Sequence, residues 1–342
     1  MMVEFNNSIF DSNNFKGVNY LLQLCTYKSR YKVFVELTEN IKGTSIFKNL
    51  NYDDQQLLIQ EYNSIIQSQE AINPSCVICE NLSTDQEFNI EEAIRYLIQP
   101  VSIILENSKN DSYFLKSIFK HFDTTGNTSR HLDNGWIQFE NAGGCDNISN
   151  FLEGKLQSFN SLPKANKSIY LRCFVLMDSD KLHPNMDLSP TKQKTKNFIE
   201  THHIPYKILN KRSVENYLPI ETYNQITNSS FDNWKASFYR LTDNQKDFLN
   251  IAIGFSRKNG NGTPKKDRNN VNGETNNLYD SLSQQDYDNL NQGLSQIGDF
   301  KTTFPTFFDS NYVSNTNLLE REGGTEVNNE FLEILQKIND LL

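Results

Sequence analysis

Three acidic residues stand where a parallel sheet would bring them together. The apolar run Val101–Leu105 reads as a short strand and ends in Glu106. The apolar run 169–177 reads as another and ends in Asp178-Ser179-Asp180. Parallel sheets form their sites at the carboxyl ends of the strands, so Glu106, Asp178 and Asp180 would converge at one edge. Three like charges held together are costly unless cations neutralise them. Hard oxygen donors at that density select Mg2+ or Mn2+. Such an ion orients a water and offsets the charge of an in-line phosphoryl displacement. The plain alternative for Asp178-Ser179-Asp180 is a surface turn.

The elements that must position these acids alternate through residues 100–220. After Val101–Leu105 the pattern predicts a helix over 112–122, a strand over 136–140, a helix over 147–159, the strand 169–177, a helix over 191–202 and a strand over 206–209. The run 169–177 is almost continuously apolar, as a central strand covered on both faces would be. Repeated strand–helix units imply a parallel sheet with helices on both faces, an α/β class. Residues 1–99 read as an α+β region, with a strand over 31–37 and helices over 53–72 and 90–98. Residues 221–342 read as mainly helical, ending in an amphipathic helix over 328–342 that docks on the core or a partner. They are broken by a polar, Gly- and Asn-rich stretch over 256–277 that reads as a flexible loop. No internal repeat is evident.

The order of the motifs is more specific than any one of them. Leu105-Glu106-Asn107-Ser108-Lys109-Asn110-Asp111 is followed by Asn141-Ala142-Gly143-Gly144, then LMDSDK, then ILNKRSVENYLP over 208–219. This series resembles the Toprim domain shared by topoisomerases, bacterial primases and OLD-family nucleases. In that domain a Glu ends the first strand, a DxD ends the third, and a Gly-rich turn lies between. The resemblance covers about a third of the chain. Two positions depart from the commoner pattern. Asn107 stands where Gly is usual, and Asp111 lies five residues beyond Glu106 rather than four.

The resemblance implies Glu106, Asp111, Asp178, Asp180 and Glu215 as ligands of Mg2+ or Mn2+. It also implies Glu106 as a general base and Lys211 as a cation stabilising the transferring phosphate. Gly143, Gly144 and Arg212 would contact substrate, the glycines through backbone N–H groups in a tight turn. The reading that follows is a metal-dependent endonuclease acting on DNA or on RNA such as tRNA. Its role would be that of an anti-phage defence effector working with a separate ATPase, since no Walker A loop occurs on this chain. The alternative is a non-catalytic Toprim-like module that docks an ATPase. A third reading, Asp178 as a phosphate acceptor in a receiver-like or phosphatase-like protein, leaves Glu106 and KRSVENYLP unexplained. Assembly with a second copy is left open.

Bulk features constrain the setting. No apolar run approaches the ~20 residues needed to span a bilayer, and the first residues lack the pattern of a signal peptide. Five cysteines, spread thinly, suggest a reducing cytoplasm. Cys76 and Cys79 lack further nearby metal ligands and read as ordinary thiols, and His202-His203 as structural. The net charge of −9 argues against a protein that coats nucleic acid non-specifically. The charge is uneven, however: −6 over residues 1–99, +3 over 100–220 and −6 over 221–342. The excess acid thus lies in the flanks, where it would restrain the site or dock a partner.

Overall fold

The computed structural model describes residues 1–68, 71–82, 84–255, 267–291, 293–294 and 303–342. Two four-stranded sheets organise it. The first comprises β1 (Met2–Phe5), β2 (Lys32–Phe34), β3 (Cys76–Ile78) and β4 (Glu87–Phe88) in the order β2-β1-β3-β4. The second comprises β5 (Val101–Leu105), β6 (Ile137–Asn141), β7 (Cys173–Met177) and β8 (Tyr206–Ile208) in the order β6-β5-β7-β8. Every strand pair is parallel. The chain is therefore α/β, and the two sheets share one strand order although the sequence shows no repeat.

The second sheet follows the expected strand and helix order. β5 and β7 are central, and all five residues of each are buried, because each face carries helices. Val101, Ile103 and Leu105 point into a core shared with helix Ser108–Phe122. Ile104, Val175 and Met177 point the other way, against Ile148 and Leu152 of helix Cys145–Gln157 and Ile199 of helix Pro190–Thr201. β7 is shorter than the predicted 169–177, since Lys167–Tyr170 forms a 3-10 turn. That turn serves the other sheet: Phe159 and Tyr170 belong to the core of the first, so the two halves interlock.

Residues 1–99 are α/β rather than α+β, because all four strands run parallel and helices connect β1 to β2 and β2 to β3. The strand expected over 31–37 is present as the shorter β2, and the helices expected over 53–72 and 90–98 as Tyr52–Ser68 and Ile90–Leu97, residues 69–70 lying outside the described residues. Asn89 and Glu92 close the latter's first turn with a capping box.

The C-terminal region is mainly helical and docks on the second sheet. Helix Glu330–Asn339 buries Phe331, Ile334, Leu335 and Ile338. The Phe331 ring lies 4.9 Å from Phe122, 5.8 Å from Tyr217 and 5.9 Å from Phe114, between centroids. Of the stretch 256–277 expected to be a loop, residues 256–266 lie outside the described residues. The remainder is structured instead, as helix Arg268–Glu274 capped by Asp267 and anchored through buried Val271. Among the described residues, no helix is long and apolar enough to cross a membrane. All five cysteines are free and buried.

Candidate carboxylate site at the end of the second sheet

The order β6-β5-β7-β8 reverses direction between β5 and β7, and open parallel sheets place sites at that switch point. Glu106 and Asp178 are the first residues beyond these two strands. The Asp178 N–H donates to Glu106 Oε1 at 3.2 Å. Asp178 Oδ1 accepts from the Val214 N–H at 3.1 Å, which brings the start of the 3-10 turn Val214–Tyr217, and with it Glu215, to the same place. Helix Ser108–Phe122 begins four residues earlier than the predicted 112, so Asp111 sits in its first turn rather than in a loop. Asp111 Oδ2 accepts from the Asn107 N–H at 2.9 Å and turns the carboxylate toward Glu106.

The electrostatics bind these groups into one unit. Burial raises the Asp111 carboxyl to about 7, and the charges of Glu215 and Glu106 add to that shift against the Asn107 hydrogen bond. Asp178 is pushed well above the carboxylate range by burial and then by Glu215, Asp111, Glu106 and Asp180. Glu106 is raised by burial, against the opposing pull of Lys192. Each acid thus feels the others, as expected of carboxylates converging without enough positive charge.

The expected ligands Glu106, Asp111, Asp178, Asp180 and Glu215 are therefore neighbours. Among the described residues, however, no three Asp, Glu, His or Cys side chains are arranged to hold one ion. Lys192 stands between them. Its Nζ lies 2.6 Å from Glu106 Oε1 and 2.9 Å from Asp180 Oδ2, and it donates to the Asp178 carbonyl at 2.7 Å. It is only 3% exposed, and these acids raise its pKa against the effect of burial. The fold places it deliberately. Ser189 caps helix Pro190–Thr201 by accepting from the Lys192 N–H, and Pro190 fits the first turn. A cation in a first turn opposes the helix dipole, a cost that the carboxylates offset. Sequence reasoning missed Lys192. The available signal was a Lys aligned with Thr195 and Ile199 on the buried face of a predicted helix.

Lys211 is not at the site, contrary to expectation. Its Nζ pairs with Asp247 at 2.6 Å, and Asp247 also binds Arg321. This is a buried structural network between the end of β8 and the C-terminal region. The backbone of this segment does hold the site: the Lys211 carbonyl accepts from Ser179 Oγ at 2.8 Å and the Arg212 carbonyl from the Asp180 N–H at 2.9 Å. That clamp fixes Asp180 at φ 54°, a left-handed conformation that Asp tolerates. The Arg212 side chain is close enough for Asp180, Asp178 and Glu215 to oppose the lowering of its pKa by burial. It donates to the Lys181 carbonyl at 3.2 Å.

The glycines turn the chain but do not offer free donors. Gly143 and Gly144 have φ of 76° and 112°, which favour glycine. The Gly143 N–H is taken by Asn141 Oδ1 and the Gly144 N–H by the Glu106 carbonyl, both at 3.1 Å. Their role is to fasten the loop after β6 to Glu106, not to contact a phosphate directly. No protein-family model matches this chain, and no curated protein or solved structure matches it.

Proposed function

We propose that the protein is a metal-dependent phosphodiester hydrolase acting on nucleic acid, an endonuclease whose centre is the carboxylate cluster. The observation that carries this reading is the convergence of Glu106, Asp111, Asp178, Asp180 and Glu215 at the switch point, with three of them raised by burial and then by the neighbouring acids. Hard oxygen donors that resist ionising together fit Mg2+ or Mn2+. Glu106, Asp178 and Asp180 would hold the ion, with Asp111 and Glu215 beside them. Bound there, the ion would supply a nucleophilic water at neutral pH and polarise the phosphate.

The chain's own groups do the rest. Glu106, held on the Asp178 N–H, keeps a carboxylate oxygen at the strand end where it can take a proton from water. Lys192, paired with Glu106 and Asp180, and Arg212, beside Asp180 and Asp178, would neutralise charge that develops on a phosphate bound there. Lys192 also balances Glu106 and Asp180 until an ion enters. We extend the proposal to a cytoplasmic anti-phage effector activated with a separate ATPase, on the strength of the sequence resemblance, with the acidic terminal regions as docking surfaces.

The position of Lys192 favours a second reading. A buried lysine that already neutralises Glu106 and Asp180 would let the same fold serve as a non-catalytic module that docks an ATPase. Incubating the purified protein with DNA, RNA and tRNA plus Mg2+ or Mn2+ separates the two. We expect metal-dependent cleavage that drops at least 100-fold in Glu106→Gln and in Asp178→Asn. Equal cleavage by these variants and the wild type refutes the hydrolase. Absence of manganese binding by a folded wild type establishes the second reading.

A further inference from the structure

We propose that the recess between Arg30 and Arg130 is an anion site for a phosphate group carried by a small molecule, on the opposite end of the sheet from the carboxylates. The recess holds about 320 Å³; its walls include Arg30, Lys32, Arg130 and His131, Glu61 as the acidic side chain, and Met1 and Leu342 with their terminal amino and carboxylate groups. That volume suits an inorganic phosphate, a pyrophosphate or a nucleoside monophosphate, at the small end of ligand pockets.

The charge balance points to an anion. Buried cations elsewhere in this protein are paired: Lys192 with Glu106, Lys211 with Asp247, Arg321 with Asp247. Arg30 is 7% exposed and has no acidic partner among the described residues. Its Nη2 donates to the Gln99 carbonyl at 2.8 Å, and its Nε donates to nothing. Arg172 lies beside it, also buried and without an acidic partner among the described residues, with its Nε likewise unused. Both guanidinium carbons sit 5.1 Å from the Tyr31 ring centroid. A buried charge without a counter-charge costs several kcal/mol, and a phosphate in contact with guanidinium donors offsets that cost through charge-assisted hydrogen bonds.

The recess is built rather than incidental. Arg130 Nη1 donates to the carbonyls of Lys28 and Ser29, and Nη2 to Asn127 Oδ1 at 2.9 Å. Lys28 and Ser29 have φ of 51° and 54°, a conformation that non-glycine residues rarely adopt. Arg130 thus holds a strained turn against the wall of the recess. His131 is 2% exposed, with Nδ1 on the Asn127 carbonyl at 2.8 Å and no partner on Nε2. The recess lies at the start of β2 and beside the start of β5, where the Trp136 N–H meets the His131 carbonyl. The five residues of β5 separate it from Glu106, roughly 17 Å at 3.3 Å per residue. Arg30 belongs to the segment that builds the first sheet and Arg130 to the segment that builds the second, so an anion between them ties the two sheets together.

Calorimetry and thermal unfolding test this in EDTA at fixed ionic strength, with pyrophosphate, inorganic phosphate and AMP as probes. We expect saturable binding by at least one probe and a higher unfolding temperature. Arg130→Gln and the exposed Lys32→Gln should each weaken binding at least tenfold with an unchanged circular dichroism spectrum. Asp178→Asn should bind as the wild type does. The proposal is overturned by binding that does not saturate, by Arg130→Gln and Lys32→Gln binding like the wild type, or by loss of binding in Asp178→Asn. It is also overturned if a short single-stranded oligonucleotide displaces the probe, which would make the recess part of a nucleic-acid path.

Discussion

Lys192→Met tests the idea that a lysine holds the place of a metal ion. Lys192 Nζ contacts Glu106, Asp180 and the Asp178 carbonyl from a position that is almost fully buried. Breaking a buried ion pair by removing one partner costs ~3–5 kcal/mol. The Asp180 arm, with a side chain 54% exposed, contributes no more than about 1 kcal/mol of that. Glu106, 19% exposed, carries most of the loss, so we expect about 3 kcal/mol in metal-free buffer at pH 8. The sign with pH follows from the raised carboxyls. Glu106, Asp111 and Asp178 bind protons more readily in the folded than in the unfolded chain. Stability from these groups is therefore present at low pH and lost as pH rises through the folded values, a window that reaches about 7 for Asp111. Removing Lys192 takes away the pull that opposes this rise, so Glu106 moves further up and the variant should lose less at pH 5 than at pH 8. Urea unfolding at pH 5 and pH 8 measures both. Manganese titration adds a second readout: without the competing ammonium, the variant should bind at least tenfold tighter, about 1.4 kcal/mol. Equal loss at both pH values together with unchanged manganese affinity refutes the placeholder argument. Neither readout requires the substrate to be known.

Asp111→Asn should raise metal-free stability at pH 8 by at most about 4 kcal/mol, the equivalent of a shift from the ordinary value to about 7. The gain should vanish near pH 4, and thermal unfolding across that range checks it. Lys211→Gln should destabilise the chain by ~3 kcal/mol through Asp247, while the folded fraction keeps its metal-dependent cleavage. A cleavage loss beyond the unfolded fraction would return Lys211 to the catalytic centre. Phe331→Ala should cost ~3–5 kcal/mol in urea unfolding, because its ring packs on Phe114, Phe122 and Tyr217. Independent unfolding of the C-terminal region in the wild type would contradict that coupling.

The second sheet was legible because burial on both faces writes itself into composition. VSIIL and CFVLM are apolar at every position but one, and their burial is complete. The first sheet was not, because β1, β3 and β4 are two to four residues long and periodicity needs a longer window. Glu106 and Asp178 were legible by the same logic, since each directly follows an apolar strand. Lys192 and Lys211 mark the limit. Their neighbours in sequence differ little, yet one turns into the carboxylates and the other toward Asp247, 36 residues further along the chain. Which way a lysine at a loop or helix start turns depends on long-range partners that local pattern does not encode.

The shared strand order shows why topology alone does not make a site. The switch point of the first sheet lies between β1 and β3, as that of the second lies between β5 and β7. Beyond β1 and β3 the backbone closes on itself: the Asn6 N–H donates to the Ile78 carbonyl at 2.9 Å. Beyond β5 and β7 the corresponding link is made by a side chain, Glu106 Oε1 accepting from the Asp178 N–H. A carbonyl in that position would complete a ladder and leave nothing to react. A carboxylate completes the same link and adds a charge, which the neighbouring acids then compound. The same fold thus yields an edge joined through a backbone carbonyl in one half and a concentrated negative field in the other, and the difference rests on the residues directly beyond the strands.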